Sequence, residues 1–580
     1  MTIDLSFKKI VWKPFNFDKR QSLLVSQRYG LNVLLSKLLV IRNIQLEEID
    51  FFLNPELNKI LPDPFVLKDM EKSVKRIFLS IKNKEKIGII SDYDVDGSSS
   101  AAIIVKFLKL INIEYFLEIP DRINEGYGPN NRILDKFKKN NIKLILSLDC
   151  GTNSNDIFNK NNINNIDVII FDHHISESNN QDLYALVNPN RSDEKNNLKN
   201  LAAVGVTFLM LVALRRELRN NDYYKNNNLN EHNLTSYLDL VALGTVCDVV
   251  NLTHLNRAYV QKGMQIIYKR NNKGISSLID ISNIRRAPNA FDLAFIIGPK
   301  LNAAGRIGES NLSSKILFSN DYKEIESISR KLHLLNEKRK LIEENILNEA
   351  KEQAYKQNKN KVIIVSSKNW HPGVIGIVAS RILDQFNKPV IVISKNNSEG
   401  TGSARSLYNI DLGSLIILAK EKGILLKGGG HKYAAGLKIK NSKIIEFSDF
   451  LEKNINYDFS IDNHINFYDS IISIEEINQN LLDDLESLEP FGKGNDEPKF
   501  FIKNLKIDFI KVIKDKHISM KLSNNLGSSI QAISFNSVET ILGDNLINSK
   551  NELINVIATI KRDNFTNKNR AQLIINDASL

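Results

Sequence analysis

Cysteine is nearly missing from this chain: two among 580 residues, with two tryptophans and five methionines beside them. Cys150 and Cys247 cannot build a disulfide framework, which excludes the stapled secreted scaffolds and fits a reducing compartment. Each stands next to an aspartate and reads as a small hydrophobe at the end of a buried element, not as a thiolate ligand. No run of about 18 apolar residues is available to span a membrane. The opening MTIDLSFKKIVWKPF also lacks the apolar core of a signal peptide. A soluble cytoplasmic protein without a membrane partner is expected.

What is present is length and charge. A chain of 580 residues exceeds one hydrophobic core and should divide into about three to four domains. Lys plus Arg number 78 against 67 Asp plus Glu, a formal net charge of +11. That balance permits a polyanionic partner without specifying one, because the distribution of charge and not its sum makes a binding patch.

Hydrophobic patterning divides the chain. The first 65 residues read as a helical segment. From 66 to 320 apolar runs alternate with amphipathic stretches, which predicts a parallel sheet with crossover helices. A charged stretch with helical periodicity, 321–358, predicts a connecting helix. KVIIVSS and KPVIVIS open a second α/β domain over 359–457, punctuated by GTGSARS and KGGGHKYAAG. From 458 to 580 short alternating runs such as FFIKNLKIDFIKVI and SSIQAISF predict a small antiparallel barrel.

SDYDVDGSSSAA sets Asp92, Asp94 and Asp96 on alternate residues before Gly97. The spacing matches the first half of an EF-hand loop, yet the twelfth position, where a bidentate Glu belongs, is Ile103. The run KIGII before it is a buried strand and AAIIVKFLKLI after it a helix, so the acids occupy a strand-to-helix turn, where open α/β sheets bind ligands. Two further apolar strands end in Asp149 and in Asp172-His173-His174, and a fourth apolar segment ends in Asp248. Carboxylates gathered at one sheet edge are too costly to bury unless cations neutralise them. Oxygen ligands with one or two imidazoles suit manganese or magnesium better than structural zinc. Two such ions would make a phosphoesterase.

DYDVDG, SLDCGTN, FDHH and GTVCDVV resemble the successive motifs of the DHH phosphoesterase superfamily. LPDPFVLKDM, PDRINEGYG, GPKLNAAGRIG, NWHPGVIGIVASR, GSARS, GGGHKYAAG and EPFGKGNDEPKF are similar, in order and spacing, to its bacterial single-strand-specific exonucleases. The resemblance implies a DHH catalytic domain, a connecting helix, a DHH-associated domain and a terminal OB barrel. It implies that Asp94, Asp96, Asp149, His173 and Asp248 hold two ions, manganese or magnesium. His174 would stand in the same shell or near the scissile phosphate, with Asp92 supporting from the edge as the other catalytic group. Arg122, Ser403 and Arg405 would bind the 5′ end, Arg306 and His431 would line the cleft, and Asn302 would position the strand.

The activity implied is 5′-to-3′ hydrolysis of single-stranded DNA to 5′-mononucleotides, serving recombination and mismatch, excision and stalled-fork repair. A helicase and a single-strand-binding protein are the implied partners, and a monomer suffices. In the barrel, Phe500, Phe501, Phe509 and Phe535 alternate with lysines as stacking over a basic groove requires, although barrel cores use the same aromatics. Two rival readings are a phosphoesterase of small substrates (short oligonucleotides, cyclic dinucleotides or pyrophosphate), which needs no strand-gripping barrel, and a catalytically dead scaffold, which usually lacks ligands present here.

Overall fold

The apolar runs that end in acids become the strands of one five-stranded parallel sheet, ordered Tyr115–Glu118, Ile87–Ser91, Leu144–Leu148, Asp167–Phe171 and Ala185–Val187. The structure is a computed structural model, and it describes residues 5–163, 165–176, 182–407, 410–456, 465–550, 552–563 and 570–580. Alternate strand residues feed two different cores. Ile87, Ile89, Leu144, Leu146, Leu148, Ile169 and Phe171 enter the large cluster on one face, and Ile90, Ile145, Val168 and Ile170 enter the cluster on the other. Helices thus cover both faces, which is why these strands are apolar throughout instead of alternating.

The connecting helix runs Tyr322–Lys356, roughly 50 Å at 1.5 Å per residue. Ile325, Ile328 and Leu332 belong to the first domain's core, and Ile346, Ala350 and Ala354 to that of the second α/β domain. One rigid element therefore spaces the two lobes. The second sheet is mixed, in the order Lys427–His431, Ala434–Lys440, Glu399–Arg405, Val390–Lys395 and Ile363–Ser367. The helix Ile375–Phe386 covers its Val390/Val392 side.

Five strands, Phe500–Ile513, His517–Ser523, Ser529–Ser534, Ala571–Ser579 and Leu553–Arg562, close on themselves into the terminal barrel. Phe500 points into its interior and Phe501, on the opposite face of the strand, is buried against Trp12 and Tyr468, whereas Phe509 and Phe535 remain exposed. The boundary expected at 458 lies outside the described residues.

The N-terminal segment departs from the helical expectation. It opens with a strand, Val11–Pro14, paired in parallel with Ile465–Tyr468. Trp12 Nε1 donates to the buried carboxylate of Asp577 at 2.9 Å. The helices that follow, Lys19–Tyr29 and Val33–Ile41, put Val25, Leu35, Leu38 and Leu39 into the barrel's core. Their apolar faces are too small to make a core alone, so the two ends of the chain share one.

Candidate active site

The parallel strands deliver their acids to one edge. Asp94 caps the helix Val95–Leu110, accepting from the Gly97 amide at 3.0 Å. A side chain at Gly97 would meet the Asp92 backbone oxygen at 2.5 Å, so only glycine lets that turn close. Asp96 is wholly buried and accepts from the amides of Ala203 (2.7 Å) and Val204 (2.9 Å), the N-terminus of the helix Ala203–Asn220. Asp149 follows its strand at φ 60°, a left-handed conformation that non-glycine residues hold only where the surroundings enforce it. Asp248 caps the C-terminus of Leu238–Cys247, where the helix dipole opposes negative charge.

His173 lies at the centre. Its Nε2 stands 3.4 Å from Asp149, 3.5 Å from Asp248 and 3.9 Å from Asp96. Three groups result, Asp92/Asp94/Asp149, Asp149/His173/His174 and Asp96/His173/Asp248, each with ligand atoms within 4.8 Å of one another and linked through Asp149 and His173. Asp92 Oδ1, Asp149 Oδ1 and Asp248 Oδ2 are buried and make no hydrogen bond. Burial and mutual repulsion push four carboxyls upward: Asp96 to about 7 and Asp248 to about 9, with Asp92 and Asp149 raised as well. Burial and the charge on His174 pull His173 down to about 4, leaving a neutral imidazole. Orphaned carboxylate oxygens around a neutral imidazole are a donor set that fits divalent cations.

This cluster makes stability depend on pH in a predictable sense. Carboxyls whose folded pKa exceeds the unfolded value stabilise the metal-free protein in acid, and that contribution is lost as pH rises toward the folded value, here about 7 for Asp96 and about 9 for Asp248. Cations need the deprotonated ligands and bind more tightly over the same interval. The melting-temperature gap between manganese-loaded and chelated protein should therefore widen from pH 6 to pH 9. A gap that is constant or narrows would remove these acids from the ligand set.

Asp172 has a different task. It is fully buried and accepts from Thr152 Oγ1 (2.6 Å), the His173 amide (2.7 Å) and His174 Nδ1 (2.7 Å). Burial alone would raise it, but His174 outweighs that and holds it below the usual carboxylate range. Reciprocally, Asp172 and its neighbours overcome burial to lift His174 to about 9. Tyr127 Oη stands 3.2 Å from the same imidazole and donates to the Asp149 carbonyl at 3.0 Å. His174 is thereby held with a proton beside the acids.

A group of arginines adjoins the cluster. Arg122 lies over the ring of Tyr93, 5.0 Å from its centroid, and Gly305 packs against that tyrosine. One turn apart on the helix Gly298–Ile307, Asn302 and Arg306 share a face, and Arg306 donates to the Gly373 carbonyl at 3.1 Å. Arg405 donates to Ser403 Oγ and to Ser380 Oγ, both at 3.2 Å. Burial and the repulsion of Arg122, Arg339 and Arg405 pull Arg306 down to about 10, and burial with Arg122 lowers Arg405. Like charges gathered in this way repel one another, a repulsion that an anion placed among them would relieve. His431 pairs with Ala434, which pairs with Arg405, so the three share a sheet face.

Models of three protein-family domains match the chain: the DHH family N-terminal domain over residues 86–245, the DHHA1 domain over 359–456 and the RecJ OB domain over 468–577. The single-stranded-DNA-specific exonuclease RecJ of Haemophilus influenzae is 31% identical, over 89% of this chain and 92% of that protein. The chain belongs to the RecJ family. RecJ of Bacillus subtilis is 29% identical, over 99% of this chain and 71% of that protein. The crystal structure of RecJ from Thermus thermophilus in complex with Mn2+ shares the fold with a TM-score of 0.80 at 24% identity, covering 98% of this chain and 79% of that one. A manganese-bound exonuclease RecJ superposes with a TM-score of 0.57 at 30% identity, over 68% of this chain and 95% of that one.

In this RecJ-family chain the structure brings Asp92, Asp94, Asp96, Asp149, His173, His174 and Asp248 together, with Arg122 beside Asp92, Arg306 and Arg405 near Arg122, and Ser403 on Arg405; Asn302 is placed only by its helix face with Arg306 and His431 only by its sheet register with Arg405. Asp92, expected as a support, lies in one group with Asp94 and Asp149, its carboxylate within 4.8 Å of theirs. Cys150 and Cys247 stay outside the ligand groups, their thiols pushed up by burial. Sequence reasoning counted Asp172 among the acids at the sheet edge without giving it a task of its own, and gave no role to Tyr93 or Tyr127. Tyr127 had a signal in its flanking glycines, both at positive φ, whereas Tyr93 inside DYDVDG had none. Among the described residues no helix is long and apolar enough to cross a membrane.

Proposed function

We propose that this protein is a 5′-to-3′ exonuclease specific for single-stranded DNA, releasing 5′-mononucleotides by metal-dependent phosphodiester hydrolysis. The observation that carries this is the juxtaposition of buried, partnerless carboxylate oxygens with a pocket of three arginines, Tyr93 standing between. Asp92, Asp94, Asp96, Asp149, His173 and Asp248 would hold two divalent ions, manganese or magnesium. Bound there, such ions supply Lewis acidity toward water and the phosphoryl oxygens.

The chain's own groups do the rest. Arg122, Arg306 and Arg405 with Ser403 receive the 5′-terminal phosphate, since a guanidinium matches its oxygens in pairs. That contact sets the register, so that the next phosphodiester lies over the acids. Asp172 keeps the proton on His174 Nδ1, leaving the charged imidazole to face the developing charge on the departing 3′ oxygen. Asn302 and His431 line the track. Recombination and mismatch, excision or stalled-fork repair in the cytoplasm, with a helicase and a single-strand-binding protein as partners, suit such an activity.

The test uses a long 5′-labelled single strand, its blunt duplex and a dinucleotide, with manganese or chelator. Metal-dependent release of labelled mononucleotide from the single strand alone is expected. Preference for the dinucleotide would favour the small-substrate reading, and binding without cleavage the scaffold. Arg405→Met should lower the preference for a 5′-phosphate over a 5′-hydroxyl by roughly 10- to 100-fold, the worth of a charge-assisted hydrogen bond. An unchanged preference would move the 5′ end elsewhere.

A further inference from the structure

The EPFGKGN stretch and the turn around Phe295 take no part in the chemistry above. Together they wall a cleft of about 640 Å3 between the parallel-sheet domain and the barrel. Leu293–Ile297 is a π-helical turn between Ala290–Asp292 and Gly298–Ile307, a rare form that is frequent at functional sites. It sets Phe291 and Phe295 side by side, centroids 4.8 Å apart and planes tilted by 35°. The two rings are 49% and 67% exposed. Val249 and Val250, directly after Asp248, line the same cleft, and Val249 sits at φ 58°, an outlier for a β-branched residue.

The opposite wall is anchored to this segment. The Leu252 amide donates to the Lys493 carbonyl at 2.8 Å, and Asn495 Nδ2 donates to the carbonyls of Leu488 (2.8 Å) and Pro490 (2.9 Å). Charge in the cleft is largely cancelled. Arg286 pairs with Asp292 at 2.5 Å, Lys561 with Glu497 at 2.6 Å, and Arg562 with Asp483 and Glu486. Lys493 alone among the cleft's cations makes no ion pair among the described residues, and it lies close enough to Asp248 to act on its carboxyl. A cleft with neutralised walls and two exposed rings suits an uncharged aromatic ligand better than a row of phosphates.

We propose that this cleft holds a nucleobase of the retained strand, on the 3′ side of the bond being cut, stacked on Phe291 and Phe295, with Lys493 as its single phosphate contact. The assignment rests on the exonuclease reading. The arginine pocket takes the 5′ end beside Asp92, and the cleft opens at Asp248, across the metal-ligand cluster, so a strand engaged at both passes over the acids. A stacked base contributes sequence-tolerant grip, and its removal weakens binding without touching the reacting groups.

The test uses 5′-phosphorylated single strands, each carrying one abasic residue at successive positions from the second nucleotide. On the wild type, KM should rise roughly 5- to 150-fold at one or two adjacent positions, the range for losing one base stack, with kcat nearly constant. Phe291→Ala/Phe295→Ala should show that raised KM on intact DNA and no further abasic penalty, whereas Phe295→Tyr keeps the wild-type pattern. A neutral methylphosphonate should weaken binding at a single linkage in the cleft, and Lys493→Gln should erase that effect. Because both rings face solvent, an unchanged melting temperature will show that the double variant folds. Position-independent abasic effects in the wild type, or a preserved pattern in the double variant, overturn the assignment while cleavage of intact strands leaves the exonuclease reading standing. No cleavage of any strand overturns both.

Discussion

Asp149→Ala is expected to lower kcat on single-stranded DNA by roughly 10³-fold or more, while the strand remains bound as tightly as before or more so. Losing even one neutral donor to a developing charge costs about 10²- to 10³-fold, and Asp149 is an anion common to two ligand groups. Its strained φ of 60° and orphaned Oδ1 are what a side chain held for a ligand, and not for its own stability, would have. Relief of carboxylate repulsion should leave the metal-free variant as stable as the wild type or more so. The decisive comparison pairs single-turnover cleavage with strand affinity and manganese stoichiometry by titration calorimetry. If turnover falls less than about tenfold, the site is centred elsewhere.

The second large effect is structural. Arg257 is 1% exposed, stacks over Phe52 at 3.8 Å, and donates to the carbonyls of Phe52 (2.6 Å), Leu488 (3.0 Å) and Glu489 (2.8 Å). One side chain of the sheet domain thus clasps the N-terminal helices and the loop that carries Lys493. Burial, followed by Arg42, pulls it down to about 9, yet no carboxylate forms an ion pair with it among the described residues. Arg257→Met keeps the volume and strands the carbonyls of Phe52 and Leu488, both buried, with the part-buried ones of Ser487 and Glu489, at a cost of about 3 to 5 kcal/mol. Differential scanning calorimetry should show a new, earlier transition as the barrel uncouples from the sheet domain, together with a raised KM on long strands. A melting profile identical to the wild type would mean that other contacts hold the junction.

The parts of the site visible in the sequence share one property. Asp94, Asp96, Asp149, His173 and Asp248 each terminate an apolar run, and a run buried on both faces admits few alternatives to a parallel strand or a core helix. The order and spacing of the glycine-rich motifs likewise marked Ser403, Arg405 and His431. Tyr93 was hidden among stronger neighbours in DYDVDG. Arg257 had no local signal because its partners lie 205 and 231 residues away in the chain. The terminal segment misled for a related reason: VWKP pairs with a strand more than 450 positions distant, and no window of local sequence reports such a partner.

Sequence by itself determined the chemistry of the donors, the α/β character of two lobes, the helix between them and the terminal barrel, because these follow from short-range periodicity and residue type. Tertiary structure decided which acids became orphaned, that Asp172 secures His174 and does not join the ligand groups, that the N-terminus completes the barrel's core, and that two phenylalanines with a lysine wall a cleft beside Asp248. Most of these depend on groups brought together from distant parts of the chain, and all on burial and mutual charge, which local pattern does not report.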